Sequence, residues 1–211
     1  KIFLQHAKYK NFDDFLSKTN FMDQSSYTDY FLQLKSLFNL EPKSTNNASK
    51  HLISLSEFDD SFMLIVSALS AVGTPESQNA LIETYHGIKD EKAKMSVLAN
   101  LGLTESPTLA TEEFLRNMMS QQEYKLKNTA ILAMGNIGQK LLETDTEREE
   151  KIYKELMEKL ITSNNDVEKK VALLSLGNLS DKRALSEIYK ETNSTNETLR
   201  QYATFALRFI E

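Results

Sequence analysis

The apolar positions of this chain follow a helical beat, and one short pattern of them returns. Ala130-Ile131-Leu132-Ala133-Met134-Gly135-Asn136-Ile137 reappears as Ala172-Leu173-Leu174-Ser175-Leu176-Gly177-Asn178-Leu179, and more loosely as Ala203-Thr204-Phe205-Ala206-Leu207-Arg208-Phe209-Ile210. Ser67-Ala68-Leu69-Ser70-Ala71-Val72-Gly73 and Ser96-Val97-Leu98-Ala99-Asn100-Leu101-Gly102 share its character. Each reads as a small-residue, apolar helix end. Recurrence at roughly 30–45 residues marks a helical solenoid, in which no repeat can bury its apolar face alone.

Around these copies the spacing predicts helix pairs. Residues 61–72 form a first helix closed by Gly73, and Thr74-Pro75-Glu76 opens the next: a capping hydroxyl, a proline where no N–H is needed, and an acid favourable to the helix dipole. That helix runs to about His86. Further pairs are expected at 89–101 with 108–122, 124–137 with 147–162, and 166–179 with 181–191, where Asp166 and Asp181 are candidate caps. One unpaired helix follows at 196–211. Before residue 60 the pattern is less regular. A short helix is expected around Phe12, Phe15 and Leu16, a clearer one at 27–40, a loop at 41–47 and a helix at 48–56. The chain therefore divides into an irregular helical N-terminal cap, residues 1–59, and one continuous repeat array, residues 60–211. The fold class is all-α, a right-handed α-α superhelix of antiparallel, HEAT-like helix pairs.

The small residues have a packing reason. Helices approach closely only where side chains are small, so Ala, Ser and Gly mark the contacts and Leu, Ile and Met fill the seam. Gly135 and Gly177 each cost about 1 kcal/mol against alanine inside a helix, which close backbone approach or a helix end accounts for.

The order of motifs carries a closer resemblance. Leu69-Ser70-Ala71-Val72-Gly73-Thr74-Pro75-Glu76-Ser77, then Leu103-Thr104-Glu105-Ser106-Pro107-Thr108, the 132–136 copy with its 174–178 echo, and Phe205-Ala206-Leu207-Arg208 together resemble the helical domain of vitellogenin and related large lipid-transfer proteins. The resemblance covers residues 61–211. It implies a two-layered helical horseshoe that braces lipid-binding β-sheets supplied elsewhere in a parent chain. It carries over no catalytic residue.

Composition narrows the function. Six glycines and three prolines in 211 residues fit long helices rather than strands and turns. The absence of cysteine excludes disulfides, thiolate zinc sites and cysteine nucleophiles. A net charge of -5 and the lack of tryptophan disfavour a nucleic-acid groove. No apolar run is long enough for a membrane span. Lys1 in first place suggests a trimmed piece of a longer protein, and the compartment stays open.

Candidate chemistry is sparse. His6, His51 and His86 stand far apart and form no metal pattern. The doublets Asp13-Asp14, Asp59-Asp60, Glu112-Glu113 and Glu149-Glu150 read as solvated or capping charges, because adjacent residues of a helix do not share a face. The same reading makes Glu150–Lys154 and Glu155–Lys159 exposed ion pairs. Asn47, Asn178, Asn193 and Asn196 begin Asn-x-Ser/Thr triplets, which matter only in a secretory eukaryotic setting. No catalytic, cofactor or metal residue is expected.

The reading is a non-enzymatic scaffold for protein–protein interaction, with the helical domain of a lipid-transfer protein as its alternative. Candidate partner-binding residues are Tyr85 and Tyr189, each four residues after a leucine in corresponding second helices, and Phe205 and Phe209 on the last helix. Expected partners are another protein or the remainder of a longer chain. Lipid enters only with additional domains. The apolar stripe of the last helix further predicts that the parent chain continues past Glu211, or that this end docks on a partner or a second copy.

Overall fold

In the computed structural model, which describes residues 8–19, 26–55 and 58–210, the described residues form helices and turns and contain no strand. Local signals place the helices. α1 (Phe12–Lys18) begins at Asn11, whose side chain accepts from the Asp14 N–H. α2 spans Tyr27–Leu40 and α3 Ser44–Ser54. α4 (Asp60–Val72) starts at Asp59, which accepts from Phe62 N–H at 2.9 Å, and stops at Gly73 in the left-handed region, φ 67°. α5 (Pro75–Gly87) follows with Thr74 as cap and Pro75 in its first turn, and α6 (Glu91–Gly102) with Asp90 as cap. α7 spans Leu109–Met119, α8 Tyr124–Leu141 and α9 Thr146–Thr162. α10 (Asp166–Leu179) is followed by a 3-10 turn at Lys182–Ala184, then α11 (Leu185–Glu191) and α12 (Glu197–Ile210).

The helix expected at 108–122 ends earlier, at Met119, and four other boundaries move for a physical reason. The loop at 41–47 shrinks to three residues. Pro42 precedes α3 rather than interrupting it, and burial of Ser44 and Thr45 draws polar residues into the helix. Asn165, not Asp166, caps α10, accepting from the N–H groups of Val167 and Glu168. α8 continues past its small-residue copy to Leu141, because Leu141 is itself buried. The helix expected at 181–191 opens as a 3-10 turn with Asp181 as its cap. Ser56 and Glu211, the far ends of two expected helices, lie outside the described residues.

Two compact units divide inside α7, residues 1–111 and 112–211. In the first, α2 packs on α4 and α4 on α6, while α3 packs on α5 in a second layer; α5 also meets α4 and α6. In the second, α8 and α12 flank α10, α9 lies on α8 and α10, and α11 lies on α12. Alternate helices thus stack side by side within each unit, the arrangement of a helical solenoid. The five copies of the small-residue pattern fall on α4, α6, α8, α10 and α12, every second helix.

The small residues sit at the same-layer contacts. A Cβ on Gly135 would run into the Ser175 carbonyl, and one on Gly177 would stand 3.1 Å from Ala206 Cα. Ser175 Oγ donates to the Ile131 carbonyl at 2.6 Å, bridging α10 to α8. Ser70 Oγ makes the equivalent bond to the Asn100 carbonyl, also 2.6 Å, bridging α4 to α6. Each serine hydroxyl is satisfied by a backbone carbonyl of the neighbouring helix, so it can be buried without an unpaired donor.

Candidate functional site

Three features of the surface could carry a function: the outer face of α12, a hollow in the first unit, and two networks of buried charge in the second.

α12 separates its apolar residues onto two faces. Leu199, Ala203, Ala206 and Ile210 point inward and are buried. Phe205 and Phe209 point outward, 46% and 50% exposed, with rings edge to face and centroids 5.0 Å apart. The inward set follows the i, i+4, i+7, i+11 positions of one helical face and the phenylalanines stand one turn apart on the other. Arg200 and Arg208 join Gln201, Thr204 and Phe205 around a shallow hollow of about 330 Å³. Tyr202 is half-buried, with the Lys170 ammonium 5.0 Å from its ring centroid.

The two tyrosines part company. Tyr85 is 6% exposed, its ring edge-on to His86 and the Lys94 ammonium 5.1 Å from its centroid. It is a packing residue and offers little surface. Tyr189, on α11, is 47% exposed. Phe205, Phe209 and Tyr189 therefore lie at the surface of the second unit, whereas Tyr85 is interior to the first.

The hollow of the first unit measures about 670 Å³ and was not marked by any sequence pattern. Leu52, Ile53, Phe58, Phe62 and Ile88 give it apolar walls, and Lys89, Asp90 and Lys92 stand on its rim. Close approach opens and limits it at once: a Cβ on Gly87 would stand 2.5 Å from Ile53 Cδ1. Phe58 is exposed and lies edge to face with Phe62.

The acidic doublets behave differently from solvated charge. Glu112 is 1% exposed and accepts from Arg148 Nε at 2.7 Å and from Arg116, whose Nε in turn donates to both oxygens of Glu155 at 2.8 and 2.9 Å. Glu149, 3% exposed, accepts from Arg183 Nη2 at 2.7 and 2.8 Å, while Glu150 and Asp181 bind the same guanidinium. Arg183 also lies over the Tyr153 ring at 4.3 Å. The expectation of solvation fails for Glu112 and Glu149 because arginines from distant sequence positions fold over them, which is what makes burial of a carboxylate tolerable. Glu155 pairs with Arg116 rather than Lys159, and Lys159 reaches Glu168 instead, whereas Glu150–Lys154 forms as expected at 3.0 Å.

Electrostatics follow from these contacts. Burial pushes the Glu149 carboxyl up, against the pull of Arg183 and with help from Asp181, to which it is hydrogen-bonded. Burial also works to raise Asp181, but Arg183 and a backbone N–H outweigh it and hold it low. Guanidinium donors take lone pairs of these carboxylates and so bind helices to one another, and the Arg183 network also lines a hollow of about 500 Å³ with Leu142, Thr146 and Glu147. Burial lowers His51, which stands beside Phe12, centroids 5.7 Å apart; His6 lies outside the described residues. Among the described residues no group of three His, Cys, Asp or Glu could hold a metal, and no helix is long and apolar enough to cross a membrane.

Residues 9–211 match the family model described as the vitellogenin TPR domain. No curated protein matches the chain.

Proposed function

The chain belongs to the vitellogenin TPR domain family, and from that premise we propose that it is the helical, non-enzymatic domain of a vitellogenin-like lipid-transfer protein, acting as the scaffold on which a lipid-binding β-rich region is seated. The observation that carries the reading is the pair of exposed phenylalanines on α12, of which Phe205 shares a shallow hollow with Arg200 and Arg208. Aromatic anchors with an arginine rim are the composition of protein-docking surfaces rather than of solvated helix faces. In this role the helices hold protein, and lipid is held by the partner region.

The test separates holding protein from holding lipid. The purified chain is titrated with a fluorescent phospholipid and, separately, with the β-rich lipid-binding region of a vitellogenin by calorimetry. The expected result is saturable binding of the β-rich region, weakened at least tenfold by Phe209→Glu, and no stoichiometric lipid uptake by the chain alone. Stoichiometric lipid binding by the isolated chain, or β-region binding indifferent to Phe205→Glu and Phe209→Glu, overturns it.

A further inference from the structure

Three carboxylates of the second unit share one guanidinium, and the sharing does not come out even. Glu149 and Glu150 follow one another in the first turn of α9, and Asp181 stands in the turn that leaves α10. Arg183 Nη1 is bonded to Glu150, and its Nε donates to Asp181 at 2.6 Å. Its Nη2 faces both oxygens of Glu149, at 2.8 and 2.7 Å, and Asp181 as well. That nitrogen carries two hydrogens and meets three carboxylate oxygens. Glu149 and Asp181 are 3% and 6% exposed, so water screens them little.

Charge is as uneven as hydrogen bonding. With every carboxyl ionised, Glu149, Glu150 and Asp181 oppose the single cation of Arg183. Two buried carboxylates on one nitrogen repel, and such a pair holds a proton between them more readily than either does alone. The hydrogen bond between Glu149 and Asp181 is that arrangement, since two bare carboxylates have no hydrogen to share. Glu149 is the member that keeps the proton. Burial pushes it up, whereas Asp181 is held low, against burial, by Arg183 and a backbone N–H. Lys154 and Arg183 hold Glu150 below its ordinary value, so it does not compete. Burial raises the Tyr153 phenol, which lies under the guanidinium and stays neutral. Glu147 stands on the same hollow, and Leu142, just past α8, gives it an apolar wall.

The pair joins separate elements. Asp181 Oδ1 accepts from the Arg183 backbone N–H at 2.8 Å, and its carbonyl from Ala184 N–H at 3.1 Å, which sets the 3-10 turn. Beside it the Ser180 hydroxyl reaches the Phe209 carbonyl of α12 at 3.0 Å.

We propose that the Glu149–Asp181 pair is a proton-operated latch, fastening the turn at 180–184 to α9 in mild acid and slackening it as the shared proton leaves toward neutral pH. A carboxyl raised by folding contributes stability that is complete below its unfolded value and lost as pH rises through its folded one. For Glu149 that loss falls above 4.5. Asp181 and Glu150 act oppositely, losing their contribution as pH falls through folded values below 3.8 and 4.5. The two trends cross in mild acid, where the latch is tightest. It belongs to the second unit alone and stands whether or not α12 docks a partner.

Two measurements on the whole chain test it. The side-chain carboxyl carbons of Glu149 and Asp181, followed by NMR from acid to neutral pH, should show Glu149 titrating above 4.5 and Asp181 responding at the same midpoint. Amide hydrogen exchange at Arg183 and Ala184, corrected for the intrinsic rate, should show at least about threefold greater protection at about pH 5 than at about pH 7.5. Glu149→Gln, whose amide donates to Asp181 and has no proton to lose in this range, should remove the difference. Glu155→Gln, in the separate pair with Arg116, should leave it. Glu149 titrating at or below 4.5 would overturn the proposal, and that reading on the parent decides the matter even if Glu149→Gln does not fold. Equal protection of the parent at the two pH values, or a difference that survives Glu149→Gln or vanishes in Glu155→Gln, would overturn it as well.

Discussion

At Gly135 the packing of α8 against α10 leaves no room for a methyl group, since the added carbon would meet the Ser175 backbone carbonyl, which no side-chain rotation can move. Gly135→Ala, the smallest possible insertion, is therefore expected to destabilise by about 1–3 kcal/mol, and Gly177→Leu by at least as much, because Ala206 faces it with backbone. Urea midpoints check both. Charge acts at the same scale through Glu168, which receives Lys127 at 3.0 Å, Lys159 at 3.5 Å and the Ser163 hydroxyl at 3.0 Å. Burial works to raise its pKa, but these donors outweigh it and hold the carboxyl below its ordinary 4.5. A depressed folded pKa contributes stability that is complete above the unfolded value and lost as pH falls through the folded one. Glu168→Gln should thus cost about 0.5–1 kcal/mol at neutral pH. The difference from the parent should shrink below pH 4.5, read from urea titrations at stepped pH.

Between elements, one buried side chain organises the turn before α7. Gln78, on α5, donates to the carbonyls of Gly73 and Ser106 at 2.8 and 2.9 Å, and its oxygen accepts from Thr108 N–H at 2.9 Å and the Thr111 hydroxyl at 2.7 Å. All four capacities of the amide are filled with the residue fully buried. Gln78→Leu keeps the volume but strands those groups, so a loss of about 2–3 kcal/mol is expected, together with faster proteolytic cleavage near residues 103–108. A melt and a cleavage-site map would show it, and an undisturbed loop would mean that water replaces the amide. Helix starts, by contrast, are secured locally: Asp59, Thr74, Asp90, Asp145 and Asn165 each accept from an N–H two or three residues on. Thr74→Ala should cost about 1 kcal/mol and no more.

For the molecule as a whole, the proposed docking role rests on the division of α12 into a buried and an exposed apolar face. Replacing Phe209 by glutamate removes apolar surface that the folded chain leaves in water, so it should move the melting temperature by no more than about 1–2 °C. Any concentration-dependent association of the parent, measured by sedimentation, should disappear with it. A large stability loss would instead place Phe209 inside the core and remove the docking surface. Ile210, one position along and buried, is the control: Ile210→Glu should unfold the C-terminal helix.

Helix positions were readable from the chain because helix formation is decided within a few residues. The period of apolar positions, the caps, Pro75 after Thr74 and the glycine after Val72 all act on neighbours, and the family's motif order follows from the same repeats. The small-residue copies marked where helices would approach closely, since close approach demands small side chains at a helical period; that α8 meets α10, and α10 meets α12, came from the tertiary structure. What stayed illegible depends on partners brought from afar. Glu112 and Glu149 look like surface acids until arginines 36 and 34 residues away close over them. Tyr85 and Tyr189 occupy equivalent places after Leu81 and Leu185, yet one is covered and the other open. Periodicity states that a face is apolar or polar. Which element covers it is settled by chain connectivity and packing, because burial is a property of two surfaces and the sequence of one helix describes only its own.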